Sequence, residues 1–547
     1  MSTGTRPEGV TREPWLLVTV VVLSALLLAF VLLPLAATVA FPRAGDWAGI
    51  LSGARYRRAA ANSLISMAAS TATATLFGFL FAFTAMRTTV PLRRLFRGIA
   101  LLPLFSPPFM VAFSYVMMFG GNGLITHGLL GVRASIFGWP GLWLSQTISF
   151  FPVAALIIES ALRAIPPSVE NAARNLGASG GRLLRTVLLP LALPGIAGAA
   201  LLVAIQVLAD FGNPIMIGGN FSVLATEAWL RVEGWGDVRG AAVLSVELLV
   251  PAVVLFVVQR RWVAAHAVPA LGTRASLEDL PPTGRLARAV LFTFCLLVSL
   301  LVLLVYAALV MGAFVKGWGF DWTPTLANFR DVVGRGPELL RSLAYAGVAG
   351  LLSALLSVCS AWLVSRRQFA VRRAIDLGTI LPAALPGISF GIGYAIVFGR
   401  PPADLYGTAA IVVLSLLFWN ISMGHQSAAA ALSQVPASFG EAASNLGASS
   451  LRILREIEGP LLGGTLFSAF TVSFIRAITT LSVVVFLATS SNRVATITIM
   501  NLVTDGFYGK AAALTAALLA CSFLALGAAR LAAGRPVELF TPAVRRA

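Results

Sequence analysis

Few residues in this chain could do chemistry, and their spacing excludes most kinds of it. Nucleotide hydrolysis needs a glycine-rich loop ending in Gly-Lys-Ser/Thr to cradle phosphates. The 547 residues contain two lysines, Lys316 and Lys510, and neither sits in that context. His127, His266 and His425 are too scattered for a metal-ligand set, and each is expected in a loop or at a helix end. Cys295, Cys359 and Cys521 all lie in apolar runs, the setting of small hydrophobes rather than of disulfides or metal sites. No catalytic residue, metal ligand or bound cofactor follows. What remains is a duplicated polar segment and a handful of ionisable groups inside apolar runs: Glu159, Asp210, Glu247 and Arg476. An isolated charge of this kind costs about 2.5–3.5 kcal/mol on insertion scales and marks a pathway when it is not merely paired. Asp210, Asn213, Arg476 and Thr480 are the candidates for lining such a pathway, whereas Glu159 and Glu247 are equally well explained as span-end residues paired with an arginine.

The elements that hold these residues are membrane helices. The chain is 58% hydrophobic and 11% charged, with a mean hydropathy of +0.87, against roughly 25% charged residues in ordinary soluble domains. Apolar runs predict spans near 15–41, 62–86, 98–119, 137–162, 191–211 and 240–259, then near 289–315, 342–365, 375–398, 407–432, 461–489 and 511–531. The first run is longer than a signal-peptide core and reads as a retained helix. The net charge of +18 comes almost wholly from arginines clustered beside spans, such as Arg93, Arg94 and Arg97, Arg260 and Arg261, and Arg366, Arg367, Arg372 and Arg373. That is the positive-inside pattern, and with no basic segment interleaved with aromatics it excludes nucleic acid as a partner. Tryptophans such as Trp139, Trp143, Trp229, Trp235, Trp318 and Trp322 lie near span ends and read as interfacial anchors.

The two halves are copies. Asn171-Ala172-Ala173-Arg174-Asn175-Leu176-Gly177-Ala178-Ser179 matches Glu441-Ala442-Ala443-Ser444-Asn445-Leu446-Gly447-Ala448-Ser449 at an offset of 270 residues, and Pro190 and Pro460 keep that offset. The organisation read from this is a first six-helix repeat over 1–261, a polar, proline-bearing linker over 262–286 and a second six-helix repeat over 287–547. An even number of spans per copy makes the repeats parallel, so both copied loops face one compartment. The arginine clusters place that compartment, and both chain ends, in the cytoplasm.

Each copied loop reads as a short helix, a turn and a second helix. Ser438 is expected to cap the second copy with Glu441 reaching back, and Ser168 and Asn171 hold those places in the first. Gly177 and Gly447 supply the left-handed residue that ends a helix, and Ser179 and Ser449 start the next one. One such loop needs no special explanation; retention of the same loop twice points to a docking surface for two like partners.

The spacing Ala-Ala, Gly, aliphatic, Pro at Ala172-Ala173, Gly177, Val187 and Pro190, and again at Ala442-Ala443, Gly447, Ile457 and Pro460, resembles the EAA loop of binding-protein-dependent type I ABC importer permeases. Asp210-Phe211-Gly212-Asn213-Pro214 and Val223-Leu224-Ala225-Thr226-Glu227 are similar to the ferric-iron branch of that family. Asn171 stands where the family usually has Glu, and Gly459 where it usually has Leu. The resemblance implies an all-α polytopic fold of about twelve transmembrane helices in two parallel repeats, set in a bacterial inner membrane. It also implies ATPase coupling through Glu170, Asn171, Ala172, Ala173 and Gly177 and through Glu441, Ala442, Ala443 and Gly447. The partners it implies are two copies of a cytoplasmic ATPase that uses the ATP, a periplasmic or lipid-anchored solute-binding protein, and membrane lipid. Its substrate would be ferric iron, with phosphonate, sugar phosphate, thiamine or polyamine as alternatives. A proton- or ion-coupled secondary transporter would share the parallel halves but would want connected carboxylates within the spans. A channel or scaffold would need no paired docking loops.

Overall fold

Eleven helices among the described residues are long and apolar enough to cross a membrane. They are Pro14–Ala40, Ala54–Arg87, Pro108–Leu129, Trp139–Ala164, Gly180–Leu208 and Val238–Val263, followed by Arg285–Ala313, Gly336–Arg366, Ala409–Ser433, Ser450–Thr479 and Tyr508–Ala529. A twelfth span results when Arg372–Ala384 and Gly387–Phe398, which meet at 114°, are taken as one. The structure, a computed structural model, describes residues 13–133, 135–265, 284–436 and 438–532. It is that of an all-α polytopic membrane protein carrying a small antiparallel hairpin, Val315–Gly317 with Asp321–Pro324.

The third span of each repeat differs from the continuous helix expected. In the first repeat Arg93–Ala100 is followed by a tight turn at Leu102–Phe105 and then Pro108–Phe119. In the second, Arg372–Ile380, Leu381–Ala384 and Gly387–Phe398 repeat that order. Proline removes a backbone donor and drives the preceding residue out of the helical region. Ser106, ahead of Pro107, and Leu385, ahead of Pro386, are accordingly extended. The fifth spans start about ten residues earlier than expected, because the second helix of each copied loop runs on into the membrane. Of the linker 262–286, Trp262 to Ala265 end the sixth helix and Arg285 and Leu286 begin the seventh; residues 266–283, with His266 and the Ser276 to Pro282 run, lie outside the described residues.

The helices gather into two compact units that cut across the repeats. One holds the described parts of Met1–Arg43, Gly334–Thr498 and Ala517–Ala547; the other holds Ala44–Val333 and Ile499–Ala516. Each unit therefore takes its first span from the other repeat. In the former, Tyr394 OH donates to the Phe30 carbonyl at 2.8 Å and Phe30 stacks on Phe418 at 5.0 Å. In the latter, Phe294 packs edge-on against Phe77 at 5.0 Å, and Tyr306 OH and Ser106 Oγ are 3.0 Å apart.

Within each unit the second and fourth spans approach closely at one glycine, and the glycine has changed sides. A Cβ on Gly78 of the second span would lie 2.6 Å from Ala154 Cβ, whereas in the other unit a Cβ on Gly424 of the fourth span would lie 2.5 Å from Ser357 Oγ. Small residues let membrane helices touch where no hydrophobic force drives them together. Either helix can supply the missing atom, so the contact survives while the residue moves.

Candidate docking loops and pathway residues

The copied loops have the same backbone. Helix Pro167–Asn175 and helix Ser438–Asn445 each end on a glycine in the left-handed region, Gly177 at φ +85° and Gly447 at φ +84°. In the first loop Gly177 N donates to the Arg174 carbonyl at 2.8 Å and Ala178 N to the Ala173 carbonyl at 3.0 Å. In the second, Gly447 N donates to Ser444 at 2.9 Å and Ala448 N to Ala443 at 3.0 Å. This pairing satisfies the last carbonyls of a helix and stops it abruptly. The helix starts differ from expectation. Ser168 follows Pro167 inside the first helix, whose cap position is Pro166 with no side-chain bond. Proline at the first helical position needs no donor and has its φ preset, so a serine cap is unnecessary. Ser438 is already helical, so it is not the cap expected of it, and residue 437 lies outside the described residues. Ser449 does cap the next helix, accepting from Arg452 N, while Ser179 holds the cap position without a side-chain bond.

Exposure follows the same pattern residue for residue from Asn171 to Ser179 and from Glu441 to Ser449. Asn171, Ala172 and Gly177, and likewise Glu441, Ala442 and Gly447, are open, while Ala173 and Ala443 are half-buried. The most exposed large hydrophobic side chains among the described residues are ones that sequence reasoning passed over: Leu176 and Leu446 are each 89% exposed at the loop tips. The signal was present, since a leucine kept at both tips beside an obligatory glycine has no core to fill.

Glu170 is placed otherwise than its neighbours. It is 5% exposed and faces inward, where Oε1 pairs with Arg87 Nη2 at 3.0 Å. Arg87 ends the second span, and its Nη2 also donates to the carbonyls of Leu162 at 2.6 Å and Ile165 at 3.3 Å, where the fourth span stops. The second repeat builds the same joint around Arg366, whose Nη2 donates to Leu432 at 3.2 Å and Val435 at 2.9 Å. Its carboxylate comes from elsewhere: Arg366 Nε pairs at 2.8 Å with Glu458 on the returning helix, and Gly440 occupies the place of Glu170. Trp362 Nε1 donates to the same carboxylate. In both repeats one arginine ties the second and fourth spans to the loop segment, to the loop helix through Glu170 in the first and to the returning helix through Glu458 in the second.

Beyond each loop the returning helix widens for five residues, Leu184–Leu188 and Leu454–Glu458, before Pro190 and Pro460. There Leu189 N donates to the Leu184 carbonyl and Gly459 N to the Leu454 carbonyl, each five residues back. A proline has no N–H for its own turn, and the wider register passes over that gap. At the second loop Glu13, just ahead of the first span, accepts from Ser450 N at 3.2 Å and Ser450 Oγ at 2.6 Å. Burial raises its pKa, but hydrogen bonds from Ser450 and Trp15 outweigh that and hold the carboxyl below its ordinary value.

Of the pathway candidates, the structure brings Asp210 and Asn213 together. Asp210 Oδ2 accepts from Asn213 Nδ2 at 2.9 Å and from Gln146 Nε2 at 3.1 Å, and Gln146 Oε1 accepts from Ser66 at 2.6 Å and Ser70 at 2.9 Å. Gln146 was not foreseen, because a lone glutamine in an apolar run has no spacing signal. Asp210→Ala would leave the amides of Gln146 and Asn213 without an acceptor, at a cost of about 1–3 kcal/mol; thermal unfolding in detergent is expected to show a correspondingly lower midpoint. In the other unit Arg476 lies over the Trp419 ring at 4.9 Å, and its carbonyl accepts from Thr480 Oγ1. Glu159 pairs with Arg97 and Arg163 at 2.8 and 2.6 Å. His425 is neither in a loop nor at a helix end. It is buried within Ala409–Ser433, with Nδ1 2.8 Å from Ser360 Oγ and Nε2 3.1 Å from Asp376 Oδ1. The trio is arranged like a hydrolase triad, yet Ser360 is fully buried and open to no substrate. Among the described residues no group of three or more His, Cys, Asp or Glu is placed to hold a metal ion.

The profile of the binding-protein-dependent transport system inner membrane component family matches twice, at residues 74–267 and 342–536. The ferric transport system permease protein FbpB of Actinobacillus pleuropneumoniae is 33% identical over 473 residues, covering 83% of this chain and 68% of that protein. The Fe(3+)-transport system permease protein FbpB 2 of Haemophilus influenzae is 22% identical over 456 residues, 82% of this chain and 85% of its own length. The molybdenum transport system permease protein ModB of Escherichia coli is 30% identical over 195 residues, 34% of this chain and 84% of that protein. With the family's unit present once in each repeat and folded as a multi-pass helical body, the chain belongs to the binding-protein-dependent transport system inner membrane components as a fused, two-repeat permease.

Proposed function

We propose that this chain is the permease through which ferric iron enters a bacterial cell, driven by two ATPase subunits that dock on the helices Pro167–Asn175 and Ser438–Asn445. The observation that carries the coupling part is the matched exposure of the two loops, ending in Leu176 and Leu446. Asn171, Ala172, Ala173 and Gly177, with Glu441, Ala442, Ala443 and Gly447, form the contact surface, and Glu170 acts from behind it by holding the helix to Arg87. The loops and both chain ends lie in the cytoplasm, and a periplasmic or lipid-anchored binding protein delivers the substrate on the opposite side. The iron assignment rests on the similarity to the ferric permeases.

ATP binding closes the ATPase pair and carries both loop helices with it. The arginine joints pass that displacement to the second and fourth spans, and the pathway opens to the outside. Asp210, Asn213, Arg476 and Thr480 line the pathway. Coupling of this kind requires each loop helix to move as a body. Ala443→Gly, which adds about 1 kcal/mol of helix flexibility, is expected to leave ATP hydrolysis running while uptake falls; unchanged uptake would refute the scheme. Substrate is tested in proteoliposomes holding the complete complex and its binding protein, with ferric iron and 2-aminoethylphosphonate supplied in parallel. Iron accumulation is expected, and accumulation of the phosphonate alone would remove the iron assignment.

A further inference from the structure

Between the second span, the short helix Arg93–Ala100 and the fourth span of the first repeat lies a cavity of ≈ 250 Å³ lined by Arg93, Arg94, Arg97, Arg163 and Glu159. Four guanidinium groups thus face one carboxylate. Glu159 uses one oxygen on Arg97 and the other on Arg163, which fixes both side chains at the cavity wall. A guanidinium carries five N–H donors, so each of these arginines keeps donors to spare. Arg93 donates one N–H to the Thr88 carbonyl. Arg94 has neither hydrogen bond nor ion pair among the described residues. Such a wall holds more positive charge and more donors than the protein itself satisfies.

We propose that this cavity binds the phosphate of an anionic phospholipid in the leaflet on the side of the loop helices. The depth fits, because Arg163 stands one residue from the end of the fourth span and Arg87, which grips the loop, ends the second. Leu92, just ahead of that short helix, and Leu95 within it are 56% and 54% exposed beside the arginines. Those leucines suit an acyl chain and have no use for a free ion. General retention of arginine on one side of the membrane does not account for the cluster, since that tendency acts on both repeats. The second repeat, offset by 279 residues along this stretch, keeps Arg372 and Arg373 but has Asp376 in place of Arg97. At the offset of 270 it has Ala429 and Ser433 in place of Glu159 and Arg163. There the acid is taken up by His425. Among the described residues this lining is that of the first repeat, as a ligand site would be and a topogenic signal would not.

The test is native mass spectrometry of the full chain in detergent, titrated with phosphatidylglycerol or phosphatidylcholine of matched chain length. Phosphatidylglycerol is expected to bind at least tenfold more tightly. Arg94→Gln, which breaks no internal contact, is expected to weaken it about fivefold, and Arg94→Gln with Arg163→Gln about 25-fold. Arg373→Gln, the counterpart in the second repeat, is expected to change nothing. If the double variant does not fold, the single one decides. Equal affinity for the two lipids, or an Arg94→Gln chain that binds like the parent, overturns the proposal. Displacement of the lipid by an equimolar amount of inorganic phosphate would assign the cavity to the free ion and overturn it equally.

Discussion

Replacing Leu176 and Leu446 together by aspartate is expected to abolish recovery of the ATPase with this chain while leaving the permease folded. Both side chains are 89% exposed, so neither contributes burial that the substitution could remove, and changes at such positions usually alter stability by less than about 0.5 kcal/mol. Docking is another matter. Burying a leucine in a partner's groove contributes about 2 kcal/mol, and two independent sites together amount to roughly a thousandfold in affinity. An aspartate also has to be desolvated in the same groove. Co-purification followed by uptake assays reads this directly, and a chain carrying both aspartates that still brings down two ATPases would end the assignment of these loops.

The second large effect comes from the arginine joints. Glu458→Leu leaves Arg366 buried without its carboxylate, and breaking a buried pair from one side costs about 3–5 kcal/mol. The first repeat shows where else that carboxylate can stand. There the acid is Glu170, Leu188 occupies the place of Glu458, and Gly440 is the counterpart of Glu170. A Cβ on Gly440 would have its nearest neighbours at 3.7 Å from Ile453 and 3.8 Å from Glu458, which is ordinary contact. Adding Gly440→Glu to Glu458→Leu is therefore expected to restore most of the lost stability and of the uptake. The measurements are the thermal midpoint in detergent and uptake by the reconstituted complex. A double variant no better than the single one would show that the two joints are not equivalent.

The swap also explains why this joint was hard to read. A constant offset reveals what has stayed in place: Gly177 and Gly447, Pro190 and Pro460, Leu176 and Leu446. It conceals a function that has moved to a neighbouring position. Glu170 and Glu458 do the same work on different helices, as Gly78 and Gly424 do at the contact between second and fourth spans. Position-by-position comparison scores each as a difference, and only proximity in space shows the shared task.

The spans and the loop turns were written in the local chemistry of the chain. Twenty apolar residues in a row must satisfy their backbone as a helix in lipid, so the number and approximate place of the spans followed from composition alone. A glycine after a run of helix formers ends that helix wherever it occurs, so the loop helices and their left-handed closures could be read as well. The prolines at 107, 108 and 386 carried an equally local instruction, but the apolar runs 98–119 and 375–398 read as continuous spans and hid the break in each. Tertiary structure alone decided what depends on one helix meeting another. That Pro14–Ala40 joins the second repeat and Arg285–Ala313 the first, that Gln146 reaches Asp210, and that Glu170 turns inward to Arg87 all rest on apolar or polar surfaces contributed from distant parts of the chain. A membrane helix is nearly uniform in hydrophobicity around its circumference, so its sequence states that it spans without stating which neighbour each face will meet.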